Sequence, residues 1–208
     1  MIKLHCFGES GNAYKAALAL QMAGLDWHPV AVDFFAGATR TEDWRALNGM
    51  AEVPVLELED GARLSQSGAI QHWVVERTGR LGGRPADRLE VLRWQFWDNH
   101  KMSSQAGAVR FLLNYLPEDR RARQTQTIAW LQGRLDAAYD TLDRHLAGRN
   151  WIVGDALTIA DLSCCGYLYY PEPFGFTRGD FARIDAWLDR IAEQPGWAHP
   201  YDLMPPAR

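Results

Sequence analysis

Residues 52–61, Glu52-Val53-Pro54-Val55-Leu56-Glu57-Leu58-Glu59-Asp60-Gly61, followed closely by Leu64-Ser65-Gln66-Ser67, decide how this chain is read. A β-rich run with a proline near its start is constrained, because proline cannot donate to a sheet ladder and belongs at a strand's first residues or at an edge. Asp60-Gly61 is a hairpin turn signal, so the chain reverses there and returns through Arg63-Leu64. Gln66-Ser67 then stands at the start of a helical pattern, Ala69-Ile70-Gln71-His72-Trp73-Val74-Val75, where unpaired backbone N–H groups favour an anion. A strand-start proline, a hairpin and a hydroxyl at a helix N-terminus together point to a site for an extended, carboxylate-bearing ligand.

Upstream, residues 2–7 read as a strand and Gly8-Glu9-Ser10-Gly11-Asn12 as a turn. Residues 13–23 read as a helix, closed by Gly24 in the place of a C-cap glycine. Trp27-His28-Pro29-Val30-Ala31-Val32 fits a second strand, and Thr41 caps a short helix over 42–47 whose first turn is acidic. The helix from Ser67 to about Arg77 completes a β-α-β-α-β-β-α order. Thr78-Gly79-Arg80-Leu81-Gly82-Gly83-Arg84-Pro85 then breaks the pattern, with three glycines and a proline. Beyond it run long helical stretches, from about Asp87 to Leu116 and from about Asp119 to Ala147. The second carries Ile128, Leu131, Leu135, Leu142 and Leu146 at helical spacing. The expected fold class is therefore α/β + all-α: a first domain over 1–77, a linker over 78–86 and an all-α domain over 87–208.

Gly154-Asp155-Ala156-Leu157-Thr158-Ile159-Ala160-Asp161-Leu162 reads as a helix start. Thr158 caps the N–H of Asp161, the Asp161 carboxylate reaches back to the N–H of Thr158, and Leu157 and Leu162 staple the turn. This assigns Asp161 to folding rather than chemistry. The helix that follows should bury Leu162, Cys164, Cys165 and Leu168.

Composition removes several function classes. A 47% hydrophobic, 12% aromatic chain of 208 residues has ample material for packed cores. A formal net charge of −4 offers no electrostatic case for nucleic acid. No apolar run reaches the ~18 residues of a membrane span, and residues 1–7 are too short for a signal peptide, so the chain reads as cytoplasmic and soluble. Cys6, Cys164 and Cys165 are odd in number, two are adjacent in an apolar stretch, and none has metal-ligand spacing, so no disulfide framework or metal site is expected. They read as small buried hydrophobes.

The β-α-β-α-β-β-α order resembles a thioredoxin-type domain. With Val53-Pro54, Gln66-Ser67 and the capping box at 158–161, the whole chain resembles the cytosolic glutathione transferases, in particular the bacterial serine-type, theta-like classes. The resemblance implies a thioredoxin-like N-terminal domain that binds glutathione as cosubstrate. It also implies an all-helical C-terminal domain that forms the hydrophobic pocket, and a homodimer. The activity implied is conjugation of the glutathione thiolate to small hydrophobic electrophiles. Two alternatives are glutathione-dependent reduction of peroxides or disulfides, and a non-catalytic binding module, since function lives in sites rather than folds.

A free thiol with a pKa near about 8.5 is only a few per cent ionised at neutral pH, so such an enzyme needs a donor at the sulfur. The family places a Ser, Tyr or Cys for this in the first strand–helix turn, where Ser10 stands here. Ser10 also suits a plain helix cap. The cysteine and arginine that follow the theta-class serine are replaced by Gly11-Asn12-Ala13, so Asn12 is the second candidate donor. By the same resemblance the Val53 backbone pairs with the cysteinyl part of glutathione, beside a cis Pro54. Gln66 and Ser67 hold the γ-glutamyl group, with Gln66 standing where many members have Glu or Asp. Arg40 meets the glycyl carboxylate, with Asn48 and Glu52 at the edge of the site. His100-Lys101 matches a His-Lys pair of some bacterial members and equally suits a solvated helix face. Trp94, Phe96, Trp97, Met102, Phe111, Leu112 and Tyr115 divide between core and pocket, with the larger share in the core.

Overall fold

The computed structural model describes residues 1–207, which form two compact units. The first holds residues 1–82 together with the tail from Gln194 onward, and the second holds residues 83–193.

In the first unit β1 (Ile2–Cys6) pairs in parallel with β2 (Trp27–Ala31) and antiparallel with β3 (Val55–Glu57), which pairs antiparallel with β4 (Arg63–Ser65). The sheet order is β2-β1-β3-β4. The parallel step is crossed by α1 (Gly11–Met22), as a βαβ unit requires. α1 is apolar around almost its whole circumference, with Ala13, Tyr14, Ala16, Ala17, Leu18, Ala19 and Leu20 buried, which marks an interior helix. Its alanines let it pack closely on α3 (Ser67–Thr78). Ala23 is the C-cap of α1, and Gly24 takes the left-handed conformation (φ 74°) expected of a residue just past a helix. A short α2 (Glu42–Leu47) is capped by the Thr41 hydroxyl, which accepts from Trp44 N at 3.2 Å.

The second unit is helical. α4 (Arg88–Asp98) passes through a π-helical turn at Asn99–Ser103 into α5 (Ser104–Asn114), so the first long run is one helix with a widened middle. Asp98, fully buried, accepts from Ser103 Oγ at 2.8 Å and from Ser163 Oγ at 2.7 Å. That carboxylate joins the widened turn to α8 (Ile159–Cys164). Between them lie a short α6 (Glu118–Arg121) and the long α7 (Thr125–His145), which buries Ile128, Leu131, Leu135 and Leu142 as the helical spacing predicts. α9 (Ala182–Ala192) closes the unit with buried Ile184, Trp187, Leu188 and Ile191. Among the described residues no helix is long and apolar enough to cross a membrane.

The box at the start of α8 does more than cap. Asp161 Oδ2 accepts from Thr158 N at 2.9 Å and Thr158 Oγ1 at 3.1 Å, while Thr158 Oγ1 accepts from Ala160 N at 3.2 Å. Asp161 Oδ1 accepts from Ile152 N at 2.9 Å and from Trp187 Nε1 at 3.0 Å. One fully buried carboxylate therefore ties the loop before α8 and the buried tryptophan of α9 to the helix start. Burial pushes this carboxyl upward in pKa and the four donors pull against that rise.

The domain reading over 87–208 differs from the structure at its end. After α9 the chain leaves the helical unit, and α10 (Pro200–Leu203) packs on α1. The physical reason is local: Pro200 and Met204 are buried there, and Tyr14 Oη donates to Ala198 O at 2.8 Å. Four residues of helix carry too little periodicity to reveal this from the sequence.

Candidate active site

The sheet register brings the candidate residues to one end of the first unit. Leu4 lies opposite Leu56 and His5 opposite Val55, so the chain leaving β1 emerges beside Pro54 at the start of β3. Val55 lies opposite Ser65, so Gln66 and Ser67 follow directly beside the same proline. Cys6 pairs with Ala31, so β2 also exits at this end, towards Arg40. Ser10, Asn12, Glu52, Val53, Pro54, Gln66 and Ser67 are thus gathered by topology alone.

Ser10 is nearly buried and is the N-cap of α1, its Oγ accepting from Ala13 N at 3.1 Å. The cap occupies an acceptor lone pair and leaves the O–H free to donate elsewhere, so capping and thiol activation are compatible. Both the free N–H groups and the positive end of the α1 dipole favour an anion at this turn. Asn12, half-buried, is the second residue of α1, and among the described residues its side chain has no hydrogen-bond partner. Cys6 lies inside β1, fully buried, and burial pushes its thiol up to about 12. Burial disfavours its thiolate, the form a nucleophile needs, so Cys6 reads as a packing residue.

The Val53–Pro54 bond is cis. The loop leading to it is braced by buried Asn48, whose Nδ2 donates to Glu52 O at 2.9 Å and whose Oδ1 accepts from Met50 N at 3.1 Å. Glu52 Oε2 accepts from Gln66 Nε2 at 3.0 Å, and the same amide reaches Met50 Sδ at 3.3 Å. Gln66 has φ 71° and ψ 116°, a positive-φ conformation that a non-glycine residue rarely adopts without a packing or binding reason. This turn leads straight into buried Ser67, the first residue of α3, in the turn whose backbone N–H groups have no partner within the helix.

Arg40 ends a single 3₁₀ turn (Ala38–Arg40) beyond β2 and is exposed, and among the described residues its guanidinium has no ion-pair partner. His100 and Lys101 lie in the π-helical turn of the second unit, His100 exposed and Lys101 half-buried. Sequence reading missed Met50 as a contact of Gln66. No local signal marks an exposed methionine in a loop.

Comparison with known proteins gives this geometry a family. The glutathione S-transferase N-terminal domain profile matches residues 10–77, and the C-terminal domain profile matches residues 108–195. Maleylacetoacetate isomerase of Rhizobium meliloti is 31% identical over 175 residues, covering 80% of this chain and 79% of that protein. Disulfide-bond oxidoreductase YfcG of Escherichia coli is 26% identical over 211 residues, covering 94% and 92%. Among solved structures, a possible glutathione S-transferase from Rhodopseudomonas palustris superimposes with a TM-score of 0.89 at 31% identity, covering 100% of this chain and 93% of that one. A glutathione S-transferase from Pseudomonas fluorescens gives 0.88 at 32% identity, covering 97% and 99%. The thioredoxin-like first unit, the helical second unit and these matches together show that the chain belongs to the glutathione transferase family, whose cosubstrate is glutathione.

Proposed function

We propose that the protein is a glutathione transferase that conjugates the glutathione thiolate to small hydrophobic electrophiles, working as a cytoplasmic homodimer. The observation that carries this reading is the convergence of the Ser10 turn, the cis Val53–Pro54 bond and the Gln66-Ser67 helix start at one end of the sheet. The Val53 backbone supplies an N–H and a C=O for the cysteinyl part of glutathione. Ser67 and Gln66 take the γ-glutamyl end, with Glu52 positioning the Gln66 amide. Arg40 meets the glycyl carboxylate. Ser10 donates to the sulfur, so the thiol releases its proton at neutral pH. With the thiol proton passed to water, the thiolate attacks the electrophilic carbon and an S–C bond forms, and either a halide leaves or an epoxide C–O bond opens and its oxygen takes a proton from water.

A second reading, glutathione-dependent reduction of disulfides or peroxides, is favoured by the Asn12 amide, which has no hydrogen-bond partner among the described residues and offers a second donor in the turn after β1. The relative named a disulfide-bond oxidoreductase points the same way. Product analysis across aryl halides, epoxides, peroxides and disulfides separates the two.

Retention on immobilised glutathione tests the binding half of the proposal. The wild-type protein is expected to be retained and eluted by free glutathione, and passage in the void volume would sink it. Ser67→Ala should raise the glutathione KM about tenfold while kcat at saturation changes little, because the γ-glutamyl contact is equally present in ground and transition states. A collapse of kcat at unchanged KM would mean that Ser67 serves the chemistry instead.

A further inference from the structure

The tail that joins the first unit lies along α1 from one end to the other. At the far end Gly196 (φ 85°) sits so close to α1 that a Cβ added there would stand 3.2 Å from Met22 Cα and 3.3 Å from Gln21 O. Midway, Tyr14 Oη donates to Ala198 O at 2.8 Å. At the near end the buried Gly8 N donates to Pro205 O at 2.6 Å, and Glu9 Oε2 accepts from Ala207 N at 3.0 Å. Gly8 is closely packed by the tail, since a Cβ there would stand 3.1 Å from the Tyr201 ring and 3.4 Å from Met204 O and Pro205 O. These two anchors fall on the two residues that precede Ser10.

We propose that residues 196–207 form a strap that fixes the Gly8–Ser10 turn, and that Glu9 is a positioning residue for the Ser10 hydroxyl. Ser10 N donates to Phe7 O at 3.1 Å, so the turn is short and any displacement of Gly8 or Glu9 is passed directly to Ser10. The cap to Ala13 N fixes the Ser10 oxygen from the helix side, and the strap fixes the backbone from the other. The strap also covers the Gly8 N–H, keeping water from a donor whose neighbour must stabilise a sulfur anion. An electrostatic donor is effective only when held in place beforehand and shielded from solvent. The catalytic consequence rests on the role of Ser10 proposed above; the structural one does not.

The test compares Glu9→Ala, Glu9→Gln and a chain ending at Met204, each read in two ways. Amide hydrogen exchange of residues 8–13 without glutathione reports the strap itself. Steady-state kinetics with glutathione report its consequence. Glu9→Ala and the shortened chain should exchange faster at residues 8–13 while the residues of α3 keep wild-type protection. Their kcat should fall about 10- to 100-fold with the glutathione KM within about twofold, the size expected of a small misplacement of a reacting group. Glu9→Gln keeps an oxygen acceptor for Ala207 N and should recover most of both. Wild-type exchange at residues 8–13 in both Glu9→Ala and the shortened chain would overturn the strap. Faster exchange with unchanged kcat would overturn the positioning role, as would a Glu9→Gln variant no better than Glu9→Ala. If the wild-type protein does not turn over with glutathione, the functional reading fails, and the exchange data still decide the strap.

Discussion

Ser10→Ala is expected to lower kcat about 100- to 1,000-fold, the loss typical of removing one preorganised donor from a developing or stabilised anion. The glutathione KM should move much less, because the proposed binding mode assigns the peptide backbone and both ends of glutathione to Val53, Ser67 and Arg40 rather than to Ser10. The substitution also removes the α1 cap, in which Ser10 Oγ accepts from Ala13 N at 3.1 Å. That loss costs about 0.5–2 kcal/mol and shows as a modest fall in melting temperature. The two effects separate by measurement: steady-state kinetics at saturating glutathione give the chemical part, and calorimetry gives the cap. Ser10→Asn, which retains capping ability, should restore most of the stability and little of the turnover. A Ser10→Ala variant with wild-type kcat would move activation to Asn12, the other side chain of this turn with a donor to offer.

Asp161→Ala carries the largest expected effect on stability, about 3–5 kcal/mol. The sequence motif alone implies a cap worth about 0.5–2 kcal/mol. The structure adds Ile152 N and Trp187 Nε1 to the two Thr158 groups on one fully buried carboxylate. Alanine would leave buried donors unmatched, at about 1–3 kcal/mol for each that water cannot reach. For a chain of this size the melting temperature should fall on the order of 10 °C. Thr158→Ala should cost less, since Ile152 and Trp187 keep their acceptor. Specific activity per folded molecule should stay near wild type in both, because neither side chain belongs to the glutathione-binding unit. Thermal melts paired with active-site titration check this, and a stable Asp161→Ala protein without activity would place that carboxylate in the chemistry.

What the sequence made legible follows from how local each signal is. The proline at 54, the Asp60-Gly61 turn and the polar pair at 66–67 each act over a few residues, so they could be read before their partners were known. The register then brings them to one end of the sheet, because β1, β3 and β4 are successive neighbours in the ladder. Burial of α7 at Ile128, Leu131, Leu135 and Leu142 was legible for a similar reason, since helical periodicity repeats many times along a long helix. The π-helical turn at Asn99–Ser103 was not legible, because a single widened turn has no residue signature of its own and spans too few apolar positions for a change of phase to be read. Nor were the contacts between Asp161 and Trp187, or between Glu9 and the tail at Ala207, which join residues far apart in the chain. Those long-range polar contacts carry much of what distinguishes this protein's energetics from its motif list.

The central claim is that the turn at Ser10 holds glutathione as a thiolate, and the thiolate's ultraviolet absorbance, followed through a pH titration of the protein–glutathione complex, measures this directly. The free thiol titrates near about 8.5, and the bound thiol should titrate at least about 1.5 units lower, a differential stabilisation of about 2 kcal/mol. In Ser10→Ala the midpoint should return most of the way to the free value. A wild-type complex that binds glutathione firmly yet titrates at the value of the free thiol would contradict the account.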